Sequence, residues 1–216
     1  MSVRYGIAVI PEPGFTARVY RARQLICGQY ACWAAEMHML RLPLIEYFHC
    51  PESAVESLSA GLGSIAREGG QKYSGVPLAH HGATSSPEYY GDIFLDFAAP
   101  EEGRDREPPA LISLRADVLG LLGQVYGVNT GNVPSIDEYR PRISLMQHAE
   151  LPPTVFDSAV LFASAVIKDL KIPQETRAWQ LVLLRFESEA AGEDWSHGGW
   201  AADLRWNLLA SYPMYA

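Results

Sequence analysis

The sequence predicts one α/β domain, more closely α+β, made of two similar lobes, each a small sheet with helices outside it, around a central cleft. Three observations lead there. The chain has 216 residues, 48% of them hydrophobic and 19% charged, which suffices for one sizeable core or two intimately packed lobes. A strand, a proline-started helix and a further strand span residues 38 to 97, and the same order recurs over residues 142 to 186. The two units begin about a hundred residues apart, too long a period for a solenoid. They therefore read as a duplication with pseudo-two-fold symmetry, placed in a single domain over residues 1 to 216. A ligand site between such lobes takes matching residues from matching strands.

The elements follow in order. Residues 5 to 10 are apolar and β-prone and stop at Pro11-Glu12-Pro13-Gly14, a strand and a turn. Phe15, Val19, Ala22, Leu25 and Ile26 recur at helical spacing, with Arg18, Arg21 and Arg23 on the solvated face. Residues 37 to 48 read as a long strand with His38, Leu40, Leu42 and Leu44 on one face. Pro51, Glu52 and Ser53 suit the first turn of a helix whose buried stripe is Ala54, Val55, Leu58, Leu62 and Ile65. Residues 69 to 89, rich in Gly, Ser, Pro and His, read as a long surface loop.

A strand over residues 90 to 97 and a charged connector over 101 to 109 come next. Residues 110 to 126 form a helix with Leu111, Leu114, Val118, Leu121 and Leu122 toward the core. Residues 140 to 148 read as a strand, and Pro152 and Pro153 open a helix carrying Phe156, Val160, Leu161 and Ile167. A strand over 179 to 186, a Gly/Trp-rich turn over 192 to 199 and an apolar segment over 204 to 212 complete the chain.

Charge and composition exclude several classes. The net charge of −8 gives no pull toward duplex DNA or an anionic membrane. No apolar run approaches the roughly 18 residues of a membrane span, and the N-terminus does not read as a signal peptide. Cys27, Cys32 and Cys50, an odd set without CxxC spacing, argue for reduced thiols in the cytoplasm. No dinucleotide turn, phosphate loop or nucleophile elbow occurs. His80-His81 has no third ligand at a convincing spacing, so neither a metal nor another cofactor is expected.

Three stretches carry a resemblance. Tyr5-Gly6-Ile7-Ala8-Val9-Ile10-Pro11, Met37-His38-Met39-Leu40-Arg41-Leu42 and Pro141-Arg142-Ile143-Ser144-Leu145 resemble the first strand and the two motif strands of the two-histidine (2H) phosphoesterases. That group includes 2′-5′ RNA ligase-like proteins and cyclic nucleotide phosphodiesterases. The resemblance runs over essentially the whole chain. It implies two lobes, each giving a His-x-Thr or His-x-Ser strand to a cleft. Two imidazoles then serve as acid and base, and two hydroxyls hold the phosphoryl oxygens. Residues i and i+2 of a strand point the same way, so each motif aims both groups into one cleft.

The chain departs from this pattern twice. His38 is retained, but Leu40 stands in the place of the first hydroxyl. Ser144 is retained, but Arg142 stands in the place of the second histidine. Arginine does not give up its proton, yet it grips phosphate through paired hydrogen bonds. The resemblance thus implies His38 as the catalytic residue and Arg142 and Ser144 as phosphate-binding residues. His148 lies six residues beyond Arg142, about 20 Å along an extended strand, and does not fill the vacant place. Nothing in the sequence brings His80, His81 or His197 to His38.

Each of these residues also has a plainer reading: a hydrogen-bonded core histidine for His38, a surface ion pair for Arg142, a small packing residue for Ser144. Trp195 and Trp200 read as structural. Two functions result. One is a metal-independent phosphoesterase acting on a 2′,3′-cyclic phosphate, a small cyclic nucleotide or an RNA end. The other is an inactive 2H-fold module that binds a phosphorylated ligand, a nucleotide, an RNA terminus or a protein partner. An open cleft at His38, with a second proton carrier opposite, distinguishes the first from the second.

Overall fold

Strand β1 (Ser2–Pro11) alternates: Ile7 and Val9 enter the main core while Ala8 faces the other way. Pro11 ends it, and Pro13 opens helix α1 (Pro13–Tyr30), where a missing backbone N–H costs nothing. The computed structural model describes residues 1–73, 75–85, 91–98, 110–130, 134–135, 138–195 and 198–215. The remaining elements are β2 (Leu42–Phe48), α2 (Val55–Tyr73), β3 (Pro77–Ala79), β4 (Ala83–Ser85), β5 (Ile93–Asp96) and α3 (Ala110–Gln124). They are followed by β6 (Arg142–Met146), α4 (Pro153–Asp169), β7 (Glu175–Ser188) and β8 (Arg205–Pro213).

Two antiparallel sheets result, giving the two-lobed α+β layout that the sequence predicts. In the larger, β7 is central. It pairs with β1 along one edge and with β3 and β8 along the other, and β2 flanks β1. The smaller has the order β4-β5-β6. Helices α2 and α3 pack on each other and against the larger sheet, while α1 and α4 cover the smaller one. The two sequence units exchange strands. β5, which ends the first unit, pairs with β6 of the second, and β7, which ends the second, pairs with β1.

Several expectations are corrected. The long strand over residues 37 to 48 begins only at Leu42. A 3₁₀ turn (Ala34–Met37) precedes it, and His38 is the extended residue that caps that turn. The long loop over residues 69 to 89 is in part ordered: α2 runs on to Tyr73, and β3 and β4 follow. Residues 86–90, the connector over 101 to 109 and His197 lie outside the described residues. Arg23, placed on the solvated face of α1, is 2% exposed.

The two faces of the larger sheet differ. One joins the main core. The other carries a second cluster of Ala8, Val182, Leu184, Phe186, Trp195, Trp200 and Leu204. Gly6 permits this cluster, since a Cβ there would meet the Phe186 ring at 2.8 Å. The segment bearing the two tryptophans is tied down: Trp195 Nε1 donates to Ser2 Oγ at 2.8 Å, and Trp200 Nε1 to the Trp195 carbonyl at 3.1 Å.

Candidate functional site

Strands β2 and β6 approach each other between the lobes. At the head of β6, Arg142 and Ser144 flank the fully buried Ile143, so both face away from the main core. The Arg142 guanidinium lies 5.2 Å over the Phe94 ring. The same pattern stands at the head of β2, where Arg41 and Pro43 flank the fully buried Leu42. A strand-based reading centred on His38 is therefore displaced by four residues from the place where the strand starts.

His38 sits beside this pair, not in it. Its ring is 4% exposed and meets Trp200 edge-on at 4.2 Å. Its Nε2 lies 3.1 Å from the Tyr47 hydroxyl, and its enclosed Nδ1 has no hydrogen-bond partner among the described residues. Burial, then the charges of Arg41, Arg23 and His148, holds its pKa well below the usual histidine value. Burial, followed by the charge of Glu46, raises the Tyr47 hydroxyl well above its ordinary value. Imidazole and phenol are thus both neutral near pH 7.

Two further groups organise the site. The buried Arg23 donates from Nη1 to the Ala35 and His38 carbonyls at 3.0 and 3.1 Å, and from Nε to the Ser144 carbonyl at 3.0 Å. One guanidinium thereby clasps the approach to β2 and the middle of β6, and burial lowers its pKa to about 10. His148 lies beyond the end of β6, where its positive φ of 49° turns the chain and its N–H donates to Asp92 Oδ1 at 2.9 Å. Its ring reaches Trp200 at 5.4 Å, so His38 and His148 touch one indole. Distance along an extended strand gave no hint of this, because the strand ends at Met146. Gly198 (φ 79°) makes room: a Cβ there would lie 2.7 Å from the His148 ring.

An open cavity of about 190 Å³ lies between the lobes. Arg4 of β1, Pro43, Glu46 and Tyr47 of β2, Arg115 of α3, Glu138 to Arg140, Arg142 and Trp195 line it. Among the described lining residues, four arginines face two glutamates, a net of +2 in a chain of −8. Arg115 is structural, donating to the Leu44 carbonyl at 3.1 Å and to the Pro134 carbonyl and lying 4.4 Å over the Tyr139 ring. Glu138 accepts from both the N–H and the hydroxyl of Ser135 at 2.9 Å. Of the three residues expected from the sequence, Arg142 lines this cavity. His38 and Ser144 do not, although Arg23 holds their carbonyls on one guanidinium. The sequence reading missed Arg4, Arg41, Glu46 and Tyr47. The available signal was Arg41-Leu42-Pro43, a second copy of the arginine-apolar-x pattern of β6.

One other histidine serves structure. His80 accepts the Gly82 N–H on Nδ1 at 3.1 Å and donates from Nε2 to the Pro173 carbonyl at 3.0 Å, between Phe15 and Phe97. Among the described residues, no three His, Cys, Asp or Glu side chains gather as a metal site, and no helix is long and apolar enough to cross a membrane.

Three solved structures share this fold end to end. TT0787 of Thermus thermophilus superposes with a TM-score of 0.62 at 16% identity, over 98% of this chain and 97% of that one. E. coli LigT complexed with 3′-AMP gives 0.58 at 17%, over 99% and 98%. A phosphoesterase gives 0.55 at 14%, over the whole of both chains. The fold is that of the 2H phosphoesterases. No family model and no curated protein matches the sequence, so at these identities the fold is what is shared. LigT structures hold phosphate, ATP and NADP+ besides 3′-AMP.

Proposed function

We propose that this 2H-fold protein binds a small phosphorylated ligand, a nucleotide or an RNA terminus, in the cavity between its lobes. The observation that carries the reading is the charge of the described residues lining that cavity, a net of +2 inside a chain of −8. Fixed guanidinium groups in a partly desolvated cleft attract a phosphoryl group more strongly than the same groups in open water. Arg142 is the principal phosphate contact, Arg4 and Arg140 add attraction, and Ser144 offers a hydroxyl on the same side of β6. Trp195 and Tyr47 supply aromatic surface for the rest of the ligand. The three free thiols suit the reducing cytoplasm, where such ligands abound.

The test is calorimetric titration with 3′-AMP and 2′,3′-cyclic AMP at low and high salt. Saturable binding that weakens with salt and drops about tenfold or more in Arg142→Gln supports the reading. Wild-type protein that takes up neither nucleotide overturns it.

A second reading, metal-independent hydrolysis of a 2′,3′-cyclic phosphate, rests on one contact. His38 Nε2 meets the hydroxyl of Tyr47, and Tyr47 lines the cavity. Neutral His38 would take a proton from water by way of that hydroxyl and return it to the leaving oxygen. Turnover that survives metal chelation and vanishes in both His38→Ala and Tyr47→Phe favours this reading. Binding without turnover leaves the first one standing alone.

A further inference from the structure

We propose that Glu46 is a built-in competitor for the anionic ligand, occupying Arg41 until a phosphoryl group displaces it. The inference rests on the phosphate-binding reading above and adds to it a regulation of the same site.

Arg41 is a buried cation behind the cavity wall. It is 6% exposed, lies 5.2 Å over the Phe186 ring and donates from Nη1 to the Met39 carbonyl at 3.3 Å. Its charge opposes the rise in the pKa of the Tyr47 hydroxyl. Its other terminal nitrogen, Nη2, is in contact with the carboxylate of Glu46. Glu46 lines the cavity and Arg41 does not, so the carboxylate stands between the guanidinium and anything entering. The Glu46 side chain keeps 33% of its exposure, which leaves room for it to swing outward.

The pairing is not one that a regular strand provides. Residues 41 and 46 are five apart, so in a regular strand they point to opposite faces with Cα atoms about 16 Å apart. Strand β2 is irregular. Tyr5 pairs with Phe48 while Ile7 pairs with Ile45, and Ala8 already pairs with Pro43, so β2 carries an extra residue in each interval. Tyr47 takes a φ of 54° at the first of these, a conformation that a bulky residue adopts only under constraint. Bulges re-aim side chains and concentrate near functional sites. Here they bring a carboxylate back onto a guanidinium at the head of its own strand.

A carboxylate and a phosphoryl group present similar paired oxygens to a guanidinium. The same arginine therefore accepts either, and Glu46 lowers affinity twice over. It holds Arg41, and it sets a negative charge beside Arg142 and Arg4 in the cavity. A ligand that displaces it gains a further guanidinium, on the wall opposite β6.

The experiment titrates wild-type protein, Glu46→Gln and Arg142→Gln with inorganic phosphate and with 3′-AMP at one salt concentration. Glu46→Ala is the second variant, and each is first checked for cooperative unfolding. Both Glu46 variants are expected to bind about tenfold or more tightly than wild type, and the gain to disappear in Arg41→Gln/Glu46→Gln, which lacks the uncovered guanidinium. Unchanged or weaker affinity in the folded Glu46 variants, with wild-type binding and its loss in Arg142→Gln intact, overturns this inference alone. Absence of binding by wild type and every variant overturns the phosphate-binding reading, and this inference with it.

Discussion

The heads of β2 and β6 share one local pattern, an arginine, a fully buried aliphatic residue and a small residue, yet the two arginines stand differently. Arg142 lines the cavity between the lobes. Arg41 lies behind Glu46, buried against Phe186. The neighbours make the difference. Strand β6 is followed by a turn that carries His148 away toward Trp200, whereas β2 bulges and returns Glu46 to its own first residue. A guanidinium at the head of a strand comes to line a cavity or to lie behind a glutamate according to what the chain does over the next few residues.

The largest test removes the indole on which both sides lean. Trp200→Ala leaves a cavity beneath His38 and His148 and is expected to cost about 3–5 kcal/mol in urea unfolding. Next is the clasp between the two heads. Arg23→Met strands the Ala35, His38 and Ser144 carbonyls and is expected to cost about 3 kcal/mol, read in the same way. A neutral result there would mean that the lobes hold β2 and β6 in place without it. The comparison sharpens in ligand titrations. Arg142→Gln should weaken 3′-AMP binding about tenfold or more, while Arg41→Gln, whose charge Glu46 already engages, should change it far less. An equal loss in both would erase the distinction.

A smaller effect is the dependence of stability on pH. In the unfolded chain His38 takes up a proton near pH 6.5, while in the folded chain burial keeps it neutral to lower pH. The unfolded state therefore binds more protons below about pH 6.5, and stability falls as the pH is lowered through that range. His80, also held low by burial, acts in the same direction. Asp92, raised by burial, acts in the opposite one, because the folded carboxyl takes its proton first. Melting curves from pH 7.5 to 5 should thus flatten in His38→Gln. A slope equal to that of wild type would show that the His38 site is not what sets it. The smallest expected change is that of Tyr47→Phe, about 1 kcal/mol, from the lost contact to His38 Nε2.

Much of the fold is legible in the sequence because its causes are local. Pro13 and Pro153 start helices, Leu58 and Leu62 mark a buried stripe, and Ile7 and Val9 alternate with Ala8. The register of the first motif is not legible. Met37, His38, Met39 and Leu40 are apolar enough to extend the strand on paper, but the 3₁₀ turn over Ala34–Met37 and the packing of Met39 against the second cluster delay its start to Leu42. Arg23 misled for a similar reason. Helical period gives a face, and what covers that face comes from elsewhere in the chain.

The sequence by itself determined most of the elements, their order, the recurrence of a similar unit and the charge of Arg142 at the head of a strand. Periodicity, proline and glycine act over a few residues, and that is sufficient for those features. Only the tertiary structure decided which arginine reaches a cavity, which clasps three carbonyls and which is held by a glutamate. Those outcomes depend on partners as far apart as Arg23 and the Ser144 carbonyl, 121 residues along the chain. Burial there converts an ordinary surface cation into a structural bolt, and a strand histidine into one enclosed beneath an indole.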